Sequence, residues 1–448
     1  MKKNNWKKAL AMMLAATMMS AALAGCSDGA KDNGSGASKD ASPASKTATD
    51  SKDKPKEKVL LWYLWTGAEG ETVDQVVKAY NEQSDKYIVE SLSVPDMQKV
   101  MIAISSGSDG PDVTDDFSSN VASYATKGII EPLDSYIDKS GYDRNDIVEA
   151  ALKSCTWEGK TYALPISSNF SAMFYNKTLL KEAGYTEPPK TMEELLEVAI
   201  KATKVNADGT IDTMGFPMFP GNPVSDFNVA AGGGWLDGTT MNAGNPANIK
   251  GMSFVLDYRK EFGVDAVSAF QSSGKYLDPA DPFIKGKQLF RFDGIWLATV
   301  IDKTIKADID YGICQIPYPK DNPELAGRTL ITSSVFYVPT SAKNKEGGFD
   351  FAAFIASEKG EAILCPGFGA IPTSKALIGN KDVMSQVSGA DFFGSYVTNK
   401  NVVAGLSLPS SGEYDVIVNE EVELAMNLKK SPEDAIASIV SRSKDLFK

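Results

Sequence analysis

The sequence predicts an α/β protein, and three observations carry that prediction. Val59-Leu60-Leu61-Trp62-Tyr63-Leu64-Trp65 is a continuous apolar run, the pattern of a strand buried on both faces in a parallel sheet. Helical spacing follows at once, with Val73, Val76, Val77 and Tyr80 on one face and Glu69 and Glu71 near the helix start, where the dipole favours acids. The alternation then repeats, strand and helix in turn, which indicates a doubly wound lobe. With 448 residues, 43% of them hydrophobic, the chain has material for two or three domains.

Ahead of Val59 the chain has a different character. Lys2, Lys3, Lys7 and Lys8 precede an apolar, small-residue run from Ala9 to Gly25, the layout of a secretory signal over residues 1–25. The run ends Leu23-Ala24-Gly25-Cys26, which resembles the lipobox of bacterial lipoproteins, so Cys26 is expected to carry acyl chains, palmitate among them. No later segment is long and apolar enough to span a bilayer, which leaves the lipid as the only membrane anchor. Residues 26–58 are mostly Ser, Ala, Gly, Lys, Asp and Thr; they cannot bury apolar surface and read as a disordered tether that spans on the order of 30 Å as a coil.

Removing the four signal lysines, with no acid among them, takes the formal charge from -12 to -16. So acidic a chain has no basic footprint for nucleic acid. Cys155, Cys314 and Cys365 are odd in number, widely spaced and without a C-x-x-C, so they read as buried free thiols and not as a disulfide framework or zinc site. There is no histidine, which removes the commonest general base and transition-metal ligand together.

In chain order, Tyr87 to Val94 reads as a second strand, and Asp96 as the cap of a helix that stops at Gly107. Asp112 to Phe117 is a third strand, before a helix carrying Val121 and Tyr124 that ends at Gly128. Glu158-Gly159 turns the chain between Trp157 and a strand Thr161 to Ile166, and Ser171 to Tyr175 is extended again. Thr191-Met192-Glu193-Glu194 is a capping box. The loop Val205 to Asp212 lacks the end acids of a calcium loop and reads as an Asp-Gly turn. Gly232-Gly233-Gly234 lacks dinucleotide spacing and is expected to let backbone pack closely and aim Trp235. Phe283 to Trp296 reads as a helix end, a strand Leu289 to Phe292 and a glycine turn presenting Trp296, a place well sited to line a cleft. Asp310 to Ile316 and Thr329 to Val338 are strands, Phe349 to Leu364 a helix, and the C-terminal part is helical, with Ser431-Pro432 opening its last helix.

These motifs, in this order, resemble the family 1 extracellular solute-binding proteins, a carbohydrate-receptor group, over nearly all of Val59 to Lys448. The most specific blocks are Trp157-Glu158-Gly159-Lys160-Thr161-Tyr162-Ala163-Leu164-Pro165, then Phe174-Tyr175-Asn176-Lys177, Ala183-Gly184-Tyr185 and Pro188 to Leu195. Gly286-Lys287 through Gly294-Ile295-Trp296 resembles a second block, with Gln288 and Leu289 in its small-residue positions, and Pro111 to Asp134 a third. The resemblance implies a periplasmic-binding-protein-like type II fold: two α/β lobes joined by crossing strands, with the ligand cleft between them. It places one lobe at residues 59–166 and 317–364 and the other at 167–316 and 365–448, with crossings near Pro165 to Ser168, Ile316 to Tyr318 and Cys365. It further implies a monomeric receptor and no enzyme, without cofactor or metal, that hands its carbohydrate ligand to the transmembrane subunits of an ABC permease.

Sugars need an aromatic platform for their C–H faces and carboxylates or amides for their hydroxyls. Candidates at strand ends and loops between the lobes are Trp65 and Glu69, then Asp116, Ser119 and Asn120, then Phe219, Asp226 and Trp235. Asn169 holds a position where maltose-binding members of the family have an acidic contact, and Tyr414 stands where the family places a late aromatic. Trp296, with Asp293 beside it, is expected to stack on a sugar ring. The competing structural reading makes Trp65 and Trp296 core rings and the polar residues caps or helix-start acids. Two other functions fit the composition: a carbohydrate-active enzyme using carboxylates such as Asp115 and Asp116, and a sensor or adhesion lipoprotein. Neighbouring strand residues point to opposite faces, which is poor geometry for flanking one bond.

Overall fold

The computed structural model describes residues 55–107, 110–405 and 408–447. The expected signal over 1–25, Cys26 and most of the tether lie outside the described residues. Two five-stranded sheets organise the rest. In the first the order is Tyr87–Ser93, Glu57–Tyr63, Val113–Phe117, Ser334–Tyr337, Leu164–Pro165. Glu57–Tyr63 pairs in parallel with Tyr87–Ser93 and Val113–Phe117, as its apolar run requires; the last two strands are antiparallel. Pro165, which has no N–H to donate, sits on the edge strand.

Local chemistry sets the helices around this sheet. Gly67–Gln83 buries Val73, Val76, Val77 and Tyr80 along one stripe. Asp96 accepts from the N–H groups of Gln98 and Lys99 to cap Met97–Ser106, and Gly107 ends that helix in the left-handed conformation at φ 66°. The capping box at Thr191 forms in full, with the Thr191 side chain on the Glu194 N–H and the Glu194 carboxylate on the Thr191 N–H.

The second sheet is built on Asn169–Asn176. Phe290–Gly294 pairs along one edge of it, and Tyr311–Cys314 and Thr329–Thr332 along the other; Val402–Ala404 extends the sheet beyond Thr329–Thr332. Phe170, Ala172 and Phe174 enter the core shared with the first sheet, while Met173 enters a second core with Phe216, Phe227, Phe290 and Phe292. A strand buried on both faces is the outcome expected for a central strand flanked by helical layers.

The chain passes from sheet to sheet at Ile166–Ser168 and at Ser333, and Ile371–Thr373 runs beside the first passage, where Ser168 bridges to Ile371 and Thr373 Oγ1 donates to the Pro165 carbonyl. Two of the three expected crossings are thereby corrected. Ile316–Tyr318 does not cross, because Tyr318 exchanges backbone hydrogen bonds with Lys190 and Met192 beside the second sheet. Instead the expected strand Thr329 to Val338 breaks at Ser333, its first half in the second sheet and its second half in the first. Cys365 lies inside the helix Glu358–Phe368, which packs on Gly67–Gln83.

Smaller corrections follow from capping and turns. The helix expected over Phe349 to Leu364 is two helices, Lys345–Ile355 and Glu358–Phe368, because the Ser357 side chain caps the second. The strand expected over Thr161 to Ile166 is cut into Lys160–Thr161 and Leu164–Pro165. The expected helix end before Leu289 is a set of hydrogen-bonded turns that runs from Asp281 to Lys287. Cys155 and Cys365 are buried and Cys314 half-buried, and all three are free.

Candidate functional site

The stretch Phe290–Gly294 alternates strictly: Phe290 and Phe292 face the second core, which leaves Arg291 and Asp293 on the opposite face of the strand. Arg291 is fully enclosed, so its charge must be met inside the protein. Its Nη1 donates to both oxygens of Asp281, at 2.7 and 2.6 Å, and its Nε and Nη2 to Asp293 Oδ2, at 2.9 and 2.6 Å. The guanidinium also lies against two aromatic rings, 5.1 Å from the Tyr276 centroid and 5.5 Å from that of Phe219. Asp281 further accepts from the N–H groups of Leu277 and Phe283, which pins the segment carrying Tyr276 to the strand.

Trp296 is attached to this ion cluster. Its Nε1 donates to the Tyr276 hydroxyl at 2.8 Å, and that hydroxyl donates to Asp293 Oδ1 at 3.0 Å. The indole lies over Gly294: a Cβ there would be 2.1 Å from the ring. Trp296 and Tyr276 both keep accessible surface, with Tyr276 40% exposed. Burial pushes the Tyr276 phenol well above its usual range, so it remains a protonated donor at neutral pH.

Asp226 and Trp235 come from the neighbouring segment. Asp226 keeps accessible surface yet is ringed by enough protein to push its carboxyl up to about 6, burial being the larger cause and the field of Asp293 a further one. Trp235 Nε1 donates to Ser225 Oγ at 2.8 Å. The three glycines before Trp235 act as expected: Gly232 and Gly234 have φ of 93° and 129°, and a Cβ on Gly233 would lie 2.4 Å from Asn248 Oδ1.

The carboxyl end of Val113–Phe117 meets the crossings. Ser118 and Ser333 are joined twice, the Ser118 N–H donating to the Ser333 carbonyl and the Ser333 N–H to Ser118 Oγ. Ser167 Oγ accepts from the Ser334 N–H, and Asn169 Nδ2 reaches Ser334 Oγ at 3.5 Å. Serine hydroxyls thus satisfy backbone groups where a ladder changes sheets. Asn169 is half-buried, Ser119 exposed and Asn120 half-buried beside them, while Asn169 and Gly294 lie at the same end of the second sheet, since Ser171 pairs with Gly294. Glu69, half-buried at the start of its helix, has its carboxyl raised by burial.

Four candidates are placed elsewhere. Trp65, 7% exposed, is a core ring set edge-on to Phe368 at 4.7 Å. Tyr414, 1% exposed, packs on Phe447 and donates to the Trp235 carbonyl, so it holds Trp235 from behind. Phe219 is buried against Arg291. Asp116 is enclosed and already accepts from the Phe117 N–H, Asn120 Nδ2 and the Tyr124 hydroxyl. Asp115 and Asp116 border a void of only about 10 Å³, with no room for a sugar. Sequence reasoning missed Tyr276 and Arg291, although a lone arginine between Phe290 and Phe292 is itself the signal of a buried, paired charge. Among the described residues no cluster of acids and thiols could hold a metal.

Comparison with known proteins agrees with this architecture. The sequence model of the bacterial extracellular solute-binding proteins matches residues 75–387. The sn-glycerol-3-phosphate-binding periplasmic protein UgpB of Shigella flexneri is 23% identical over 419 residues, 87% of this chain and 92% of that protein. Among solved structures, mannotriose-bound CpMnBP1 superposes with a TM-score of 0.76 at 22% identity, covering 87% of this chain and 100% of that one. The GacH receptor of Streptomyces glaucescens, solved unliganded and with acarbose, gives 0.71 at 21% identity, covering 88% and 99%. The fold is that of the type II sugar-binding receptors, and the chain belongs to the bacterial extracellular solute-binding protein family.

Proposed function

We propose that this protein is the substrate-binding component of an ABC importer and captures a sugar or oligosaccharide by closing two lobes over it. One observation carries the ligand class: an accessible Trp296 locked through Tyr276 and Asp293 onto Arg291, a flat apolar face beside hydrogen-bonding groups. Trp235, Asp226, Asn169, Ser119, Asn120 and Glu69 complete the proposed contacts, and the passages at Ile166–Ser168 and Ser333 serve as hinges. Relatives bound to mannotriose and to acarbose support the carbohydrate reading. The curated relatives are binding proteins, in keeping with a receptor that performs no chemistry. Among the described residues no helix is long and apolar enough to cross a membrane. Acylation at Cys26 would hold the body on the outer face of the bacterial cytoplasmic membrane, next to its permease.

A thermal-shift panel of mannobiose, mannotriose, maltose, maltotetraose and acarbose tests this. A true ligand at a hundred times its Kd stabilises the native state by about 2.7 kcal/mol and raises the melting point in a saturable way. New reducing ends during incubation would refute the receptor reading in favour of an enzyme, and a flat panel would refute the carbohydrate reading.

A further inference from the structure

The geometry points to Tyr276 as a second stacking platform beside Trp296, so that the ligand is a chain of at least two sugar units. This inference rests on the solute-receptor reading above and fixes the length of ligand that the same site is built to take.

Both rings stand where the two cores part. Ile295 and Leu297, on either side of Trp296, enter the core shared with the first sheet, and Leu277 beside Tyr276 packs against it, whereas Phe290 and Phe292 belong to the second core. Gly294 pairs with Ser171, two residues from Asn169, whose side chain reaches Ser334 at the passage between the sheets. Protein backs one face of each ring. A Cβ on Gly294 would lie 2.1, 2.2 and 2.5 Å from three carbons of the indole's six-membered ring, so that ring meets the glycine face-on. The Arg291 guanidinium lies over the Tyr276 ring, 5.1 Å from its centroid. The surface that the two side chains keep, 40% of it for Tyr276, is therefore turned away from Gly294 and Arg291.

The rings meet at their polar corners, the Trp296 N–H on the Tyr276 hydroxyl at 2.8 Å, so each extends the other. That N–H and the Tyr276 O–H, which donates to Asp293, are both used within the protein. What the pair offers a ligand is apolar ring, the surface that takes the C–H faces of sugars. One pyranose covers one ring of the pair. A monosaccharide on Trp296 leaves the phenol ring in water, and a second unit linked to the first covers it. The bonds that run from Trp296 through Tyr276 and Asp293 to Arg291 hold both rings in place beforehand, which lowers the ordering cost of binding.

Titration calorimetry on the wild-type protein, Tyr276→Phe and Tyr276→Ala tests the assignment, with mannose and glucose added to the panel above. Both variants lose the hydroxyl that holds the indole and only Tyr276→Ala loses the ring, so the difference between them isolates stacking. The wild type should bind its best disaccharide at least about 100-fold tighter than the monosaccharide of which it is made. Tyr276→Phe should keep that ratio, and in Tyr276→Ala the ratio should fall at least about tenfold. A merely structural role would weaken monosaccharide and disaccharide alike in Tyr276→Ala and leave the ratio in place, and that result overturns the assignment. A wild-type protein that binds a monosaccharide as tightly as the disaccharide overturns it as well, whether or not the variants fold, and leaves the receptor reading intact. Binding of no sugar overturns the carbohydrate reading itself.

Discussion

At the scale of single residues, Arg291 ties the cluster together and Trp296 is its proposed contact with ligand. Arg291 holds Asp281 and Asp293, so Arg291→Met leaves two buried carboxylates without their countercharge. Breaking a buried pair on one side costs about 3–5 kcal/mol, and urea unfolding should show a loss of that size. Adding Asp281→Asn and Asp293→Asn to Arg291→Met should recover part of it, because the stranded charges are then gone. Trp296 is half-buried, its indole hydrogen-bonded to Tyr276 and set over Gly294, so Trp296→Ala should leave the fold standing. Ligand affinity should fall at least tenfold, about 1.4 kcal/mol, and an unchanged Kd would remove Trp296 from the site. Trp296 was legible in the sequence because it follows a strand and a glycine; Tyr276 was not, because it lies in an irregular segment that only the Asp281 hydrogen bonds bring to the strand.

At the scale of elements, the turn between the strand Phe290–Gly294 and the helix Trp296–Thr299 aims the indole. Gly294 has an ordinary φ and is required for space alone, since its missing Cβ is where the Trp296 ring lies. Gly294→Ala should therefore imitate Trp296→Ala in calorimetry, with little change in melting point if the ring swings away; wild-type affinity in Gly294→Ala would show that the ring position is immaterial. The helices and most strands could be read in advance where a local rule governs them, as at Asp96, Gly107, Thr191 and Ser431. The break at Ser333 could not. Thr329 to Val338 reads as one strand, and its division between two sheets depends on Asn169–Asn176 and Val113–Phe117, each far away in sequence.

At the scale of the whole molecule, the passage at Ile166–Ser168 and the segment Ile371–Thr373 beside it are tied together by one buried acid. Glu361, fully enclosed, accepts from the N–H groups of Thr373 and Ser374 at 3.0 Å and contacts Thr373 Oγ1, which also donates to the Pro165 carbonyl. One hydroxyl proton cannot serve both acceptors, so a protonated Glu361 that donates to Thr373 Oγ1 completes the chain. Burial, aided by the nearby charge of Asp146, pushes the Glu361 carboxyl up to about 8, against 4.5 for a free side chain. The folded state then keeps a proton that the unfolded chain releases above pH 4.5. Stability on this account is full below that pH and falls by up to about 1.4 kcal/mol per unit until about pH 8, where it levels off. Glu361→Gln should flatten the profile between pH 5 and 8 in urea unfolding; an unchanged slope would place the titration elsewhere.

By itself the sequence determined the α/β class, the caps, the free thiols, the family and the strand end that carries Trp296, because each depends on residues close together in the chain or on a run of motifs in order. The tertiary structure alone decided that the chain changes sheets at Ser333, that Trp65 and Tyr414 are core, and that Trp296 is held by Tyr276 and Asp293 upon a neutralised Arg291. The physical reason is burial: whether an aromatic ring or a carboxylate meets solvent depends on what folds over it from a distance, and neither spacing nor composition records that.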